Sequence, residues 1–204
     1  MISRRSAIYL LTGCTSVAVH CEAFGKPETV AAPLGLQWGA PSEDIRHEGI
    51  ELKAVHNTDY GVSFTAVKMS KSLSDQEGAM LSFGMNDALW RILIFSRNYA
   101  NDPSGVALIA RYAELSASLK EKYGKPRIFH RLGDSIYSES RYFLSGIRGG
   151  DTKWFSNFST ADLNIQIGLS ASDGSTGSWH IIYEYKPLEA AFEKSKKSSE
   201  KDKL

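Results

Sequence analysis

NDPSGVALIARYAELSASLKEKYGKP, Asn101–Pro126, lies at the centre of the 204-residue chain, and its reading decides the fold. Asn101-Asp102-Pro103-Ser104 opens a helix, with Asp102 or Ser104 as the cap that accepts from the first free amides. Ile109, Tyr112, Leu115, Leu119 and Tyr123 recur at steps of three or four and therefore share one face. Lys120 and Lys122 put cations in the last turn, where they offset the negative end of the helix dipole. Gly124 supplies a left-handed cap, and Pro126 forbids continuation.

Short strand-like runs flank this helix on both sides. Upstream are Ile50–His56, Tyr60–Met69, Ala79–Phe83 and Ala88–Ser96. Asn57-Thr58-Asp59 and Met85-Asn86-Asp87 are compact turns, so neighbouring runs should pair as antiparallel hairpins. Leu89–Phe95 is nearly continuous in apolar residues and reads as a central strand covered on both faces over much of its length. Further upstream, Leu34–Trp38 shows strand alternation. Ala40–Ile45 reads as a helix start with acids in its first turn, and Gly49 is placed to end that helix.

Downstream, Arg127–Leu132 reads as a strand and Gly133–Lys153 as a long polar, glycine-bearing loop. Trp154–Phe158, Leu163–Leu169 and Trp179–Tyr185 are three further strands, with Asp173–Gly177 as the loop between the last two. From Leu188 the pattern is helical and runs into a charged tail, Ser199–Leu204, without an apolar stripe. The order strand, helix, strands, helix, strands, helix predicts an α+β fold, an antiparallel sheet with helices packed on one face. Four segments follow: residues 1–23 as a signal peptide, 24–33 as a linker, 34–187 as a single α+β domain, and 188–204 as a C-terminal helix and charged tail.

The signal-peptide reading rests on Arg4 and Arg5, followed by an uncharged stretch from Ser6 to Val19 that is too short to span a bilayer. Ser3–Ile8 resembles a twin-arginine export signal but carries Ala7 where a bulkier apolar residue is usual. Leu11-Thr12-Gly13-Cys14 resembles a bacterial lipobox, which would make Cys14 the lipidated residue. Cleavage after Ala18 or Ala23 satisfies the small-residue rule at the cut site. The expected destination is the periplasm or the exterior, with Cys14 as the one route to a lipid anchor. The two cysteines, Cys14 and Cys21, both fall in this segment, so cleavage after Ala23 leaves a cysteine-free chain suited to an oxidising compartment.

Charge and motifs narrow the function classes. Removing residues 1–23 takes away Arg4, Arg5 and Glu22 and leaves 22 basic and 22 acidic residues. That balance speaks against nucleic acid as a partner. The five histidines lack zinc-ligand spacing, no GxSxG elbow occurs, and no Walker or dinucleotide loop is present, so no cofactor or metal is expected. Gly168-Leu169-Ser170-Ala171-Ser172 has the wrong final residue for the elbow. Gly146–Gly150, with Arg148, has the backbone freedom to hold an anion, although a loop needs the same residues. Glu43, Asp44, Asp134 and Glu139 offer carboxylates whose spatial separation the sequence does not fix. Arg141-Tyr142-Phe143 has the aromatic-plus-arginine composition of a protein-recognition hot spot and is the candidate binding site.

Three stretches carry a resemblance: Leu34–Asp44 (LGLQWGAPSED) with Gly49 after it, Phe83–Trp90 (FGMNDALW), and Leu115–Pro126 (LSASLKEKYGKP). Together they resemble small exported bacterial proteins with an architecture like the beta-lactamase inhibitor protein. The likeness spans about Leu34 to Tyr185. It implies a binding or scaffold fold with no shared active site, and it carries over no functional residue. The expected function is therefore non-enzymatic binding of another envelope protein, as an inhibitor, immunity or assembly accessory factor. A small-ligand or lipid-binding module and a hydrolase with an unrecognised acid–base pair are the alternatives.

Overall fold

The computed structural model describes residues 30–204 apart from residue 85. The signal segment with Cys14, its cut sites and the first residues of the linker lie outside the described residues. The chain forms α1 (Ser42–His47), then β1 (Leu52–Thr58), β2 (Gly61–Ala66), β3 (Gln76–Gly84) and β4 (Leu89–Ser96). After α2 (Val106–Tyr123) come β5 (Arg127–Arg131), α3 (Phe143–Gly149), β6 (Lys153–Ser159), β7 (Leu163–Ala171), β8 (Gly177–Tyr185) and α4 (Lys186–Lys201). The fold is α+β.

All eight strands join one antiparallel sheet in the order β1-β2-β3-β4-β8-β7-β6-β5. Two units, α1 with β1–β4 and α2 with β5–β8 and the inserted α3, abut through their last strands, β4 and β8. The register aligns buried residues across this join: Ala79, Ile94, Ile181 and Ile167 form one row, and Leu81, Ile92, Tyr183 and Ile165 the next. On this core face α2 lays Leu108, Tyr112, Leu115 and Leu119, and α1 buries Ile45. α3 packs against β7 and adds Phe143 and Leu144.

The expected helix at 101–123 is present, with a refinement at its start. Gly105 takes the left-handed conformation at the cap position, and the Asp102 carboxylate accepts from the Ala107 amide at 3.0 Å. Three expectations need correction. Leu34–Trp38 is not a strand: Pro33–Gly35 forms a short 3-10 turn with Leu34 at φ 62°, and only an isolated bridge joins Gln37 to Ala31. The segment after Gly133 is not a plain loop, because it contains two 3-10 turns and then α3. The charged tail expected from Ser199 is helical in its first three residues, and only 202–204 lie beyond the helix. α4 continues to Lys201, Lys203 pairs with Asp59, and Phe192 stacks on Trp90 at 4.5 Å.

β4 is central, as its apolar run predicts, but only one of its faces is covered by the core. α4 lies over just one end of the other face, where Phe192 packs against Gly61, Gly84 and Trp90. Among the described residues nothing covers the rest of that face.

Candidate binding surface

Strand alternation sends every second side chain of β3 to β8 away from the core, and the register assembles these into rows. The first row runs Gly78, Phe95, His180, Gly168, Phe155, Phe129 across six strands. The two glycines explain how four aromatic rings fit in it. A Cβ on Gly78 would lie 2.9 Å from Phe95 Cζ, and one on Gly168 would lie 2.9 Å from His180 Nε2. Each ring therefore lies over a bare backbone position. At the far end Phe129 and Phe155 stack with centroids 4.7 Å apart.

The second row runs Met80, Leu93, Ile182, Gln166, Asn157, Arg127. It is aliphatic over β3, β4 and β8 and turns polar at the amide pair, where Gln166 Nε2 donates to Asn157 Oδ1 at 3.0 Å. The third row, Ser63, Ser82, Arg91, Glu184, Asn164, is polar throughout. In it Arg91 Nε donates to Glu184 Oε1 at 3.0 Å. Burial pushes the Glu184 carboxyl up, and Arg91 opposes that shift. A trough of about 510 Å³ follows the polar end, lined by Arg127, Asn157, Gln166 and Glu184 among others.

Phe95, Leu93, Met80, Ile182 and Phe155 are all partly exposed. A sheet with one solvated face normally alternates apolar-in with polar-out. Here Met80, Leu93, Phe95, His180 and Ile182 fill the outward positions of the first two rows on the central strands, and they lie side by side. Contiguous exposed apolar surface rimmed by polar groups marks an interaction site.

His180 is held below the ordinary imidazole range by burial and by the charge of Arg91. Its Nδ1 lies 3.1 Å from Ser170 Oγ. This Ser–His pair is not a catalytic arrangement of the usual type. Among the described residues no carboxylate is hydrogen-bonded to the ring, so nothing orients it as a base. Two of the acids considered from the sequence lie against bases close by in the chain. Glu43 contacts His47 at 3.5 Å within α1, and Glu139 pairs with Arg141 at 2.8 Å. No cluster of three metal-ligating side chains occurs among the described residues, and no described helix is long and apolar enough to cross a membrane.

The most strongly perturbed acid, Asp75, belongs to the core. Burial acts to raise its carboxyl, but hydrogen bonds from Arg111, Tyr99 and Trp179 outweigh this and hold it at about 2. Its oxygens are fully engaged, so the group is structural.

Arg141-Tyr142-Phe143 is divided by the fold. Phe143 is 2% exposed and stands edge-on to Trp154 at 5.3 Å, so it anchors α3 and is unavailable to a partner. Arg141 stays exposed over the Tyr142 ring. Gly146–Gly149 forms the last turn of α3, with Gly150 as its left-handed cap. That is the negative end of the helix dipole, unsuited to an anion. The aromatic row was missed because its members lie up to 85 residues apart, from Phe95 to His180. The signal that could have found it is the outward phase of LWRILIFS, where Leu93 and Phe95 are apolar beside the inward Ile92 and Ile94, joined by His180 and Ile182 in GSWHIIYEY.

No protein-family model matches the chain, and no curated protein or solved structure matches it either.

Proposed function

We propose that the chain is an exported envelope protein, periplasmic or secreted, that binds another envelope protein through the open face of its sheet. It acts as an inhibitor, immunity or assembly accessory factor without catalysis. The observation that carries this reading is the row Phe95, His180, Phe155 and Phe129 beside Met80, Leu93 and Ile182, an aromatic and aliphatic patch on an uncovered sheet face. Aromatic side chains dominate binding hot spots because they bury large area at small entropic cost. The resemblance to the beta-lactamase inhibitor architecture and the export-type N-terminus support the same reading.

A photo-crosslinking residue at Phe155, introduced in cells, tests it. The expected result is one specific adduct with an exported protein, absent when the same residue replaces Val106, which is 67% exposed on α2. No adduct at Phe155, or the same adducts at both positions, overturns it. A small-ligand reading is favoured by the trough of about 510 Å³, which lies in the size range of ligand sites. Ligand-dependent thermal shifts that disappear on Gln166→Ala would establish that reading instead.

A further inference from the structure

The sheet has two edges, and they differ. β1 is interrupted by a bulge between Ala54 and His56. β5 pairs with β6 without a break, and its outer side has no strand partner among the described residues. All five of its residues are exposed, with Ile128 at 60% and Phe129 at 37%. A row of unpaired backbone groups on such a strand is a template for another strand.

The flanks of β5 specify what that strand would be. On the core side a groove of about 260 Å³ separates β5 from α2, lined by Ile109, Ala113, Ile128, His130 and Trp154 among others, Lys120 included. It is almost wholly apolar, and burial keeps the His130 imidazole below its ordinary range. On the open-face side the strand presents Arg127, Phe129 and Arg131, with Lys125 beside Arg127 in the trough. Among the described residues no ion pair joins Lys125, Arg127 or Arg131 to an acid.

A second copy of this chain does not fit the edge. Antiparallel self-pairing about Phe129 would set Arg127 directly opposite Arg131 twice, and like charges in opposed positions are destabilising. An acidic strand meets the same arginines favourably.

We propose that β5 binds an extended acidic segment of a partner protein as a ninth strand. Residues facing Arg127 and Arg131 are acids four positions apart. The residue between them faces Phe129 and is apolar or aromatic, and the two intervening residues enter the groove at Ile128 and His130 as branched apolar side chains. Backbone pairing supplies affinity and the alternate side chains supply specificity. This goes beyond the open-face reading and does not depend on it, since a Phe155 adduct neither requires nor excludes an added strand at β5.

The test is selection of a displayed random octapeptide library on the full chain, with counter-selection on Arg127→Glu/Arg131→Glu. The expected consensus has Asp or Glu at two positions four apart with apolar residues between them. The enriched peptide, added to isotopically labelled protein, should shift the amide resonances of 127–131. The double variant should lose binding by about tenfold or more, and replacing the two acids of the peptide with Lys should restore it. Both arginines are exposed, so unchanged urea unfolding of the double variant verifies that it folds. The proposal is overturned by the lack of a consensus, by a consensus without spaced acids, by shifts confined to the open face, or by equal binding to the double variant. A dimer in solution that the double variant abolishes would also overturn it, because the edge would then be occupied by a second copy.

Discussion

Trp179 Nε1 donates to Asp75 Oδ2 at 2.7 Å, which ties β8, in the second helix–meander unit, to the entrance of β3 in the first. The same carboxylate accepts from Tyr99 Oη at 2.6 Å and from Arg111 of α2 at 2.8 Å. One buried acid thus holds two strands and a helix in register. Asp75→Asn keeps the shape but removes the charge that balances Arg111. Breaking a buried pair from one side costs about 3–5 kcal/mol, and Arg111 keeps a second partner in Glu114, so a loss near the lower end is expected. Urea unfolding at neutral pH measures it. A loss under 1 kcal/mol would show the cluster to be incidental.

The same acid sets the response to low pH. Its folded value of about 2 lies below the ordinary 3.8, so the unfolded chain binds the proton first as pH falls. The stability it contributes is therefore complete above about pH 4 and disappears as pH falls towards 2. The difference corresponds to about 2 kcal/mol. Unfolding curves at pH 5, 4, 3 and 2 should show this decline in the native chain, with a shallower slope in Asp75→Asn.

His180 and His130 act in a higher window. Both imidazoles are pushed down, each chiefly by burial, and His180 also by Arg91. The unfolded chain then gains protons near the ordinary value of 6.5 while the folded chain resists. Stability should fall as pH drops below about 6.5 and level off below the folded values. His180→Phe keeps a ring in the aromatic row and removes one titrating group, so its loss of stability between pH 7 and 5 should be smaller than that of the native chain. A His180 titration midpoint at or above 6.5 in the native protein would contradict this.

The two open-face glycines nearest α4 should respond in opposite ways to the same substitution. A Cβ on Gly61 would overlap the Phe83 carbonyl oxygen and press on the Phe192 ring. A backbone atom cannot yield as a side-chain end does, so Gly61→Ala should cost about 1–3 kcal/mol. At Gly84, its register partner, the nearest atom is Phe192 Cδ2 at 4.0 Å. Gly84→Ala should be neutral or stabilise by up to about 1 kcal/mol through reduced freedom of the unfolded chain. Denaturation midpoints of the two variants settle the comparison.

The parts of this fold that were legible share one property, which is that the deciding signal is local. α2 carries its stripe, its capping acid and its Gly–Pro stop within 26 residues, from Asn101 to Pro126. The first hairpin declares itself through a polar break, although the turn falls at Asp59-Tyr60 with Asn57 and Thr58 still paired in β1. α3 was illegible because FLSGIRG is seven residues long and includes two glycines, too short for a period to emerge. The burial of Phe143 depends on its packing against Gly105, 38 residues earlier. Leu34–Trp38 alternates like a strand but turns at Leu34, whose positive φ no pattern signals. The open aromatic face was illegible for the same reason as Phe143. Its existence depends on register between distant strands, and in β4 the apolar outward phase resembles a fully covered strand when it is in fact an uncovered one.

α4 shows how far a single contact can hold an otherwise polar element. None of its 16 residues is fully buried, and its main anchor is Phe192, stacked on Trp90 and edge-on to Tyr60 with centroids 5.6 Å apart. The ion pair from Lys203 to Asp59 is exposed, and such pairs contribute little. A helix of this length is marginal in water without tertiary packing. Phe192→Ala should therefore release α4 while leaving the sheet folded, because the core rows of β3, β4 and β8 lie on the opposite face. Hydrogen exchange should show the amides of 186–201 losing protection, with those of β4 and β8 unchanged, and Trp90 emission should move to longer wavelength as the indole meets water. Global stability should fall by only about 1–2 kcal/mol, less than the 3–5 typical of a fully buried phenylalanine. Loss of protection throughout the sheet would mean instead that α4 is an integral part of the folding unit.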